Sequence, residues 1–138
     1  MAYNLLKGKK GIIFGALNNS SIAWHIAERA YEEGAEFVLT NTPVSMRFGE
    51  ISELAKKCNT QDIPADATNV KDLENLISKT MEIFGGKIDF ILHSIGMSLN
   101  VRKGRLYDDL NYDFFHKTLD ISAISFHKML QVARKLDA

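Results

Sequence analysis

The sequence contains one cysteine, two prolines, no net charge and no long hydrophobic run. The single Cys58 cannot form an intrachain disulfide, which fits a reducing compartment, and its helical apolar surroundings favour a core residue over a nucleophile. With 17 basic and 17 acidic residues, there is no electrostatic reason to expect binding to nucleic acid or to an anionic membrane. No apolar stretch approaches the length of a membrane span. We therefore expect a cytoplasmic protein without nucleic-acid or membrane partners.

Two further kinds of site are disfavoured by the residue patterns. The sequence has no Gly-x4-Gly-Lys-Ser/Thr loop, which argues against a nucleoside triphosphatase. Asp113, His116 and Asp120 fall near one face of a predicted helix, but no histidine stands four residues from another and no cysteine joins them. We expect a solvated polar face there and no metal site.

Patterns typical of strands and helices alternate along the chain. Its 138 residues, 46% of them hydrophobic, suit one domain. The predicted strands are 12–14, 36–40, 61–65 and 88–93, and the predicted helices are 21–33, 47–58, 70–84 and 112–135. Pro64 suggests that the third strand lies at an edge or that its pairing ends there. About four strands alternating with four helices predict an α/β fold, a Rossmann-type doubly wound parallel sheet with helices on both faces.

Ligands of such sheets bind at the carboxyl ends of the strands. The segments at these ends are Gly15 to Ser21, Asn41-Thr42-Pro43, Asp66-Ala67 and Ser94-Ile95-Gly96. The N–H groups of a helix starting near Ser21 suit a pyrophosphate. A full G-x-G-x-x-G fingerprint is missing, so N-capping of the helix by Ser20 or Ser21 explains this segment equally well.

The other strand ends also allow two interpretations. No carboxylate follows the second strand, but Asn41 and Thr42 can hydrogen-bond an adenosine. Arg47 can reach a 2′-phosphate. The residues alone therefore do not distinguish NAD from NADP. Asp66 can accept a hydrogen bond from the adenine amino group or serve as a partner of the next helix N-terminus. Gly96 allows the backbone to approach a flat ligand closely.

Together these strand ends resemble the enoyl-acyl-carrier-protein reductases of bacterial fatty-acid synthesis, the divergent branch of the short-chain dehydrogenase/reductase family. The resemblance is carried by Gly15-x5-Ser21-Ile22-Ala23, Asp66-Ala67, His93-Ser94-Ile95-Gly96 and Asp120-Ile121-Ser122. It extends over the whole chain but over only about the first half of the family's length. It implies that residues 1–138 are the N-terminal part of a dinucleotide-binding domain whose catalytic half is absent.

The resemblance also implies a cofactor and the residues that hold it. The cofactor is NADH, with NADPH less favoured. The pyrophosphate would be lined by Gly15, Ser21 and Ile22. The adenine ribose would lie near Thr42, and the adenine would lie at Asp66 and Ala67. The cofactor would be contacted beside its nicotinamide ribose by Ser94, Ile95 and Gly96, and the substrate by Ser98.

The family's catalytic pair is a tyrosine and a lysine seven positions later, on the helix after a fifth strand. Tyr3 has Lys10 at this offset, but both residues precede the first strand, and the other three tyrosines have no such lysine. The resemblance therefore implies that the pair lies beyond Ala138. We expect the 138-residue chain alone to be inactive.

The implied reaction is hydride transfer from NADH to a trans-2-enoyl thioester carried on acyl carrier protein. Two alternatives stay open. One is a reductase of another carbonyl or enoyl substrate within the short-chain dehydrogenase/reductase family. The other is a non-catalytic, receiver-like signalling module, although a receiver needs an acidic pair after its first strand, where this chain has Gly15-Ala-Leu-Asn-Asn.

The last predicted helix has an unusually wide apolar face. At 100° per residue, its apolar side chains between Phe114 and Leu136 cover an arc of roughly 180°. One sheet contact needs less than this. We therefore expect a homo-oligomer that packs through the helix around residues 114–135, in keeping with the tetramers of the family that the sequence resembles.

Overall fold

Parallel strands form the centre of the structure, a computed structural model that describes residues 2–101, 104 and 106–138. In these residues the sheet has three strands, β1 (Lys10–Phe14), β2 (Glu36–Thr40) and β3 (Phe90–His93), in the order β2-β1-β3. Phe14 lies opposite Thr40 on one side and opposite His93 on the other. β1 is central because Ile12 and Ile13 are fully buried, one on each face of the sheet. The predicted α/β class with a parallel sheet is confirmed.

Helices cover both faces of this sheet. In the described part of the chain they are α1 (Ile22–Glu32), α2 (Pro43–Phe48), α3 (Ile51–Lys57), α4 (Val70–Phe84), α5 (Tyr112–Leu119) and α6 (Ser125–Lys135). Ile13 and Leu39 pack against α1 and α3 on one face, and Ile12 and Val38 pack against α4 and α6 on the other. None of these helices has the length and apolar content needed to cross a lipid bilayer.

The predicted third strand, 61–65, forms only an isolated bridge to β2. The Leu39 N–H donates to the Gln61 carbonyl at 3.0 Å, and the Ile63 N–H donates to the Leu39 carbonyl at 2.9 Å. The Ala65 N–H donates to the Asn41 carbonyl at 3.0 Å, so Pro64 lies between two residues that bond β2, and its missing N–H is on the side that faces away from that strand. The segment therefore runs parallel to β2 at the edge of the sheet without becoming a strand.

The predicted second helix is two helices, α2 and α3, which are separated at Gly49. α2 begins earlier than predicted because Thr42 caps it, accepting the Ser45 N–H at 3.2 Å, and Pro43 occupies the first turn. A Cβ at Gly49 would lie 2.8 Å from the Leu17 carbonyl. The break therefore brings the chain against the loop that follows β1.

The last predicted helix runs from α5 to α6 but contains one π-helical segment, Asp120–Ile124. There the Ser125 N–H donates to the Asp120 carbonyl, five residues back. A π segment inserts an extra residue into the helix and so rotates every later side chain relative to a uniform 100° projection. Met129 and Val132 are buried, whereas four of the ten apolar side chains of the predicted arc are exposed.

Glu33 ties the N-terminal segment to the end of α1. Its side chain is buried; Oε2 accepts the N–H groups of Tyr3 and Leu5 at 2.9 and 3.2 Å, and Oε1 lies 2.5 Å from Arg29 Nη2. Loss of hydration alone would raise the pKa of Glu33. The backbone N–H groups and the Arg29 guanidinium stabilise the carboxylate by more than this, so the pKa of Glu33 lies below its usual value.

We predict that Glu33→Gln lowers the thermal unfolding midpoint at neutral pH, because a neutral amide accepts these hydrogen bonds less strongly. The pKa of Glu33 is lower in the folded protein than in the unfolded chain. The carboxylate therefore stabilises the fold fully at pH values above the unfolded pKa, and this stabilisation is lost as the pH falls through the folded pKa. The difference from wild type should therefore shrink in acid. Glu32→Gln is the control, because Glu32 pairs with Arg29 at the surface. A difference that stays constant into acid would contradict the assignment.

Candidate cofactor site

The carboxyl ends of the strands open onto two adjoining clefts. The larger, about 420 Å³, is lined by Gly15, Ser21, Ile22, His93, Ser94, Ile95 and Gly96. The smaller, about 160 Å³, is lined by Asn41, Thr42, Ala65, Asp66, Ala67, Thr68, Ile95, Met97 and Ile121. The structure thus brings all nine predicted cofactor-binding residues to one end of the sheet, and Ile95 lines both clefts.

Gly15 allows the ends of β1 and β3 to come together in the wall of the larger cleft. Its φ is +99°, and a Cβ built on it would lie 1.9 Å from the Ser94 carbonyl oxygen. Only glycine both adopts this backbone conformation readily and leaves room for that oxygen. The ends of β1 and β3 therefore meet at this residue.

The loop after β1 is held by its own side chains and leaves the start of α1 open. Ser21 occupies the N-cap position, but its Oγ accepts the N–H groups of Leu17 and Asn18 at 3.1 and 3.2 Å and makes no capping bond to the helix. The interpretation of Ser21 as a plain N-cap is therefore wrong. The Trp24 N–H donates to the Ser21 carbonyl at 3.1 Å, which leaves the N–H groups of Ile22 and Ala23 at the start of α1 to serve an anion.

The residues after β2 are largely engaged within the protein. Asn41 Nδ2 donates to the Ala16 carbonyl at 2.9 Å, and Asn41 Oδ1 accepts the Thr42 N–H at 2.8 Å. Thr42 Oγ1 accepts the Ser45 N–H and donates to the Ser45 hydroxyl at 2.9 Å. These bonds fix one wall of the smaller cleft and leave Asn41 and Thr42 with less capacity to bind a ligand than the sequence suggested.

Asp66 forms a turn at the mouth of the smaller cleft. Its Oδ1 accepts the Thr68 N–H at 2.8 Å and the Thr68 hydroxyl at 2.7 Å. Asn69, rather than Asp66, caps α4. The turn uses one carboxylate oxygen of Asp66 and places the half-buried side chain beside the buried Ala67.

Gly96 differs from Gly15 because no described residue requires a glycine there. A Cβ on Gly96 would meet no atom within 4 Å, and the residue is exposed. The backbone at Gly96 therefore has room for a ligand to approach it closely.

His93 also lines the larger cleft, although it was not predicted to be a site residue. Its Nε2 lies 2.8 Å from Ser125 Oγ, and the Ser125 hydroxyl donates to the Ile121 carbonyl at 2.7 Å. Since the serine proton is used in that bond, His93 Nε2 is the donor to Ser125. Burial lowers the pKa of His93, which favours the neutral imidazole, with its proton on Nε2. The partner lies 32 residues away and no local spacing could have indicated it.

Another cleft, of about 650 Å³, lies at the opposite end of the sheet, bounded by the start of β2 and the ends of α3 and α4. Helix C-termini carry partial negative charge, so this cleft suits a phosphate poorly. Cys58 lies in its wall; burial raises the pKa of the thiol to about 11, which agrees with a core residue and not with a nucleophile.

The expectation that the catalytic tyrosine and lysine lie outside this chain stays a prediction. In the described residues no tyrosine lines either strand-end cleft, and no group of three or more metal-ligating side chains occurs. Ser98 is exposed and follows Met97, a lining residue of the smaller cleft. Its role at the substrate remains a prediction.

Comparisons with known proteins agree on one family. The family profile described as Enoyl-(Acyl carrier protein) reductase matches residues 15–138. Enoyl-[acyl-carrier-protein] reductase [NADH] 2 of Rhizobium meliloti is 34% identical over 96% of this chain and 49% of its own length. The corresponding NADH enzyme of Rickettsia felis is 36% identical over 100% of this chain and 52% of its own length. The chain thus spans about half the length of these curated relatives.

Solved structures give the same picture. The crystal structure of a FabI-NADH complex from Alistipes finegoldii is 76% identical, with a TM-score of 0.95 over 99% of this chain and 48% of that one. The reductase of Anaplasma phagocytophilum in complex with NAD is 27% identical, with a TM-score of 0.86 over 99% of this chain and 52% of that one.

The two strand-end glycines should respond oppositely to alanine. Gly15→Ala adds a Cβ against the Ser94 carbonyl at a positive φ, and we expect a loss of more than about 2 kcal/mol of unfolding free energy. Gly96→Ala fills open space and should change it by less than about 0.5 kcal/mol. Urea unfolding monitored by circular dichroism measures both. Equal stabilities of the two variants would contradict the geometry of the site.

Proposed function

Because the chain belongs to the enoyl-(acyl carrier protein) reductase family, we propose that it supplies the NADH-binding half of an enzyme that reduces trans-2-enoyl thioesters on acyl carrier protein in bacterial fatty-acid synthesis, in the cytoplasm. The observation that carries this proposal is the convergence of the nine cofactor-binding candidates on two adjoining clefts. The names of the relatives specify NADH, and a similar structure is a complex with NADH, which supports NADH over NADPH.

The two clefts suggest how an extended dinucleotide lies across the sheet. The pyrophosphate is held at the start of α1, where the N–H groups of the first turn and the helix dipole attract negative charge. The adenine enters the smaller cleft, beside Asp66 and Ala67. The nicotinamide ribose lies against Ile95 and Gly96, and the substrate approaches from the side of Ser98.

This chain's contribution to the reaction is binding and orientation. NADH supplies the hydride that is added to the β-carbon of the enoyl group. Ile95 and Gly96 present a smooth backbone surface against which the cofactor is held, and the loop from Gly15 to Ser21 fixes its phosphates. The tyrosine that supports the enolate oxygen and the lysine that holds the ribose belong to the other half of the enzyme in this proposal.

The direct assay follows NADH absorbance with a trans-2-enoyl thioester. Protein expressed from its complete reading frame should oxidise NADH only when the enoyl thioester is present, and the 138-residue chain alone should not. Enzymatic turnover by the 138-residue chain would contradict the division of roles. NADH binding without enoyl-dependent oxidation by the complete protein would contradict the substrate.

Ile22→Pro tests where the pyrophosphate lies. Proline is tolerated at the first helical position, and Ser21 already has the extended backbone that precedes proline, with ψ of 136°. The variant therefore loses one N–H donor with little effect on folding. We predict a loss of NADH affinity of at least about tenfold, equivalent to about 1.4 kcal/mol, by fluorescence titration.

Ile22→Ala is the matched control, because it removes the same exposed side chain but retains the N–H. Its affinity should stay close to that of wild type. Equal NADH affinity of the proline and alanine variants, with both folded, would rule out the start of α1 as the pyrophosphate site.

We further propose that the protein forms a homo-oligomer, in keeping with a tetramer, through the outer face of α5 and α6. Phe115, Leu119, Phe126 and Leu130 are 40–47% exposed along this face, while Met129 and Val132 fill the core. A row of half-exposed apolar side chains is costly to leave in water. Ser122, a small residue of the same helix, is not available to this interface, because it hydrogen-bonds the loop that follows β3 in its own chain.

Leu130→Glu should reduce the assembly because it places a charge in this apolar face. We predict a smaller mass for this variant in size-exclusion chromatography with light scattering. Gln131→Glu, an exposed neighbour with the same added charge, should leave the mass unchanged. A Leu130→Glu protein of unaltered mass would contradict the proposed interface.

A further inference from the structure

The hydroxyl of Ser122 makes a reciprocal pair of hydrogen bonds with one residue of the loop that follows β3. Ser122 Oγ accepts the Met97 N–H at 3.0 Å and donates to the Met97 carbonyl at 3.2 Å. The two residues are 25 positions apart in the sequence. One side chain of the π-helical segment thus binds both polar groups of a loop backbone unit.

The loop that Ser122 holds forms the wall between the two strand-end clefts. Ile95 lines both of them, and Met97 lines the smaller one. The Met97 side chain is 52% exposed, so apolar packing contributes little to fixing this backbone. The pair of hydrogen bonds to Ser122 is therefore a main constraint on where the wall stands.

The same helix also anchors the opposite wall of the smaller cleft. Lys128 Nζ donates to the Thr68 carbonyl at 3.0 Å and to Asp120 Oδ1 at 2.7 Å, and it is only 25% exposed. Thr68 is the residue that completes the Asp66 turn. One helix therefore contacts both walls, through Ser122 on one side and Lys128 on the other.

We propose that Ser122 is a positioning residue for the cofactor: it fixes the backbone at 95–97 at the distance from the Asp66 turn that NADH requires. The π segment contributes because its wide turn lies at Ser122, where the helix faces the loop. This proposal rests on the proposed function and adds a residue that contacts the loop rather than the ligand.

The test compares Ser122→Ala with Ser122→Thr in protein expressed from its complete reading frame. Ser122→Ala removes both hydrogen bonds, and we expect NADH affinity to fall by about three- to tenfold, as the loss of such bonds implies. Ser122→Thr retains the hydroxyl and should restore affinity to within about twofold of wild type. Thr118→Ala is the matched control, because Thr118 donates its hydroxyl to the Phe114 carbonyl within the same helix at 2.8 Å.

A second readout does not depend on any ligand. Amide hydrogen exchange at Met97 should be faster in Ser122→Ala than in wild type, while the global unfolding midpoint changes no more than it does in Thr118→Ala. Wild-type protein that binds no NADH would overturn the proposed function. Wild-type protein that binds NADH, with Ser122→Ala binding it equally well, would overturn only the role of Ser122.

Discussion

The site depends on the contact between Gly15 and the Ser94 carbonyl. A side chain at Gly15 would occupy the position of that oxygen, and the backbone conformation there is one that side chains disfavour. Because the two strand ends meet, the start of α1 and the loop after β3 face one cleft instead of two separate surfaces. The absence of a single Cβ therefore allows the segments proposed to bind the phosphates and the nicotinamide to reach the same molecule.

The parts of the fold that the sequence predicted well are those that local chemistry determines. The alternation of apolar strands and amphipathic helices was enough to predict a parallel sheet. Gly85, which follows the predicted helix 70–84, ends α4 in the left-handed conformation that favours glycine. The errors have physical reasons as well. The predicted third strand lies at the edge of the sheet, where it makes only an isolated bridge, and the Thr42-Pro43 start signal, overlooked in the sequence, begins a separate short helix. The π segment has no local signature, because it is stabilised by contacts with residues far away in the chain.

For the site residues as well, the position in the fold could be predicted from the sequence, but the side-chain contacts could not. Strand ends can be located from the sequence, and the structure places Gly15, Asp66 and Gly96 where a parallel sheet requires them. Which polar groups remain available to a ligand cannot be read in that way. The sequence suggested both Ser21 and Asn41 as groups that could bind the cofactor, but the structure engages the Ser21 hydroxyl in its own loop and the Asn41 amide in a bond to Ala16. His93 and Ser122 were missed as site residues because their partners lie 32 and 25 residues away.

Hydrogen–deuterium exchange of the protein with and without NADH shows whether the cofactor binds at the carboxyl ends of the strands. If it does, exchange in peptides covering 15–22, 66–69 and 94–97 becomes slower when NADH is present. Exchange in peptides covering 58–61 and 83–86, at the 650 Å³ cleft on the opposite end of the sheet, stays unchanged. Protection confined to that opposite cleft would show that the cofactor binds elsewhere.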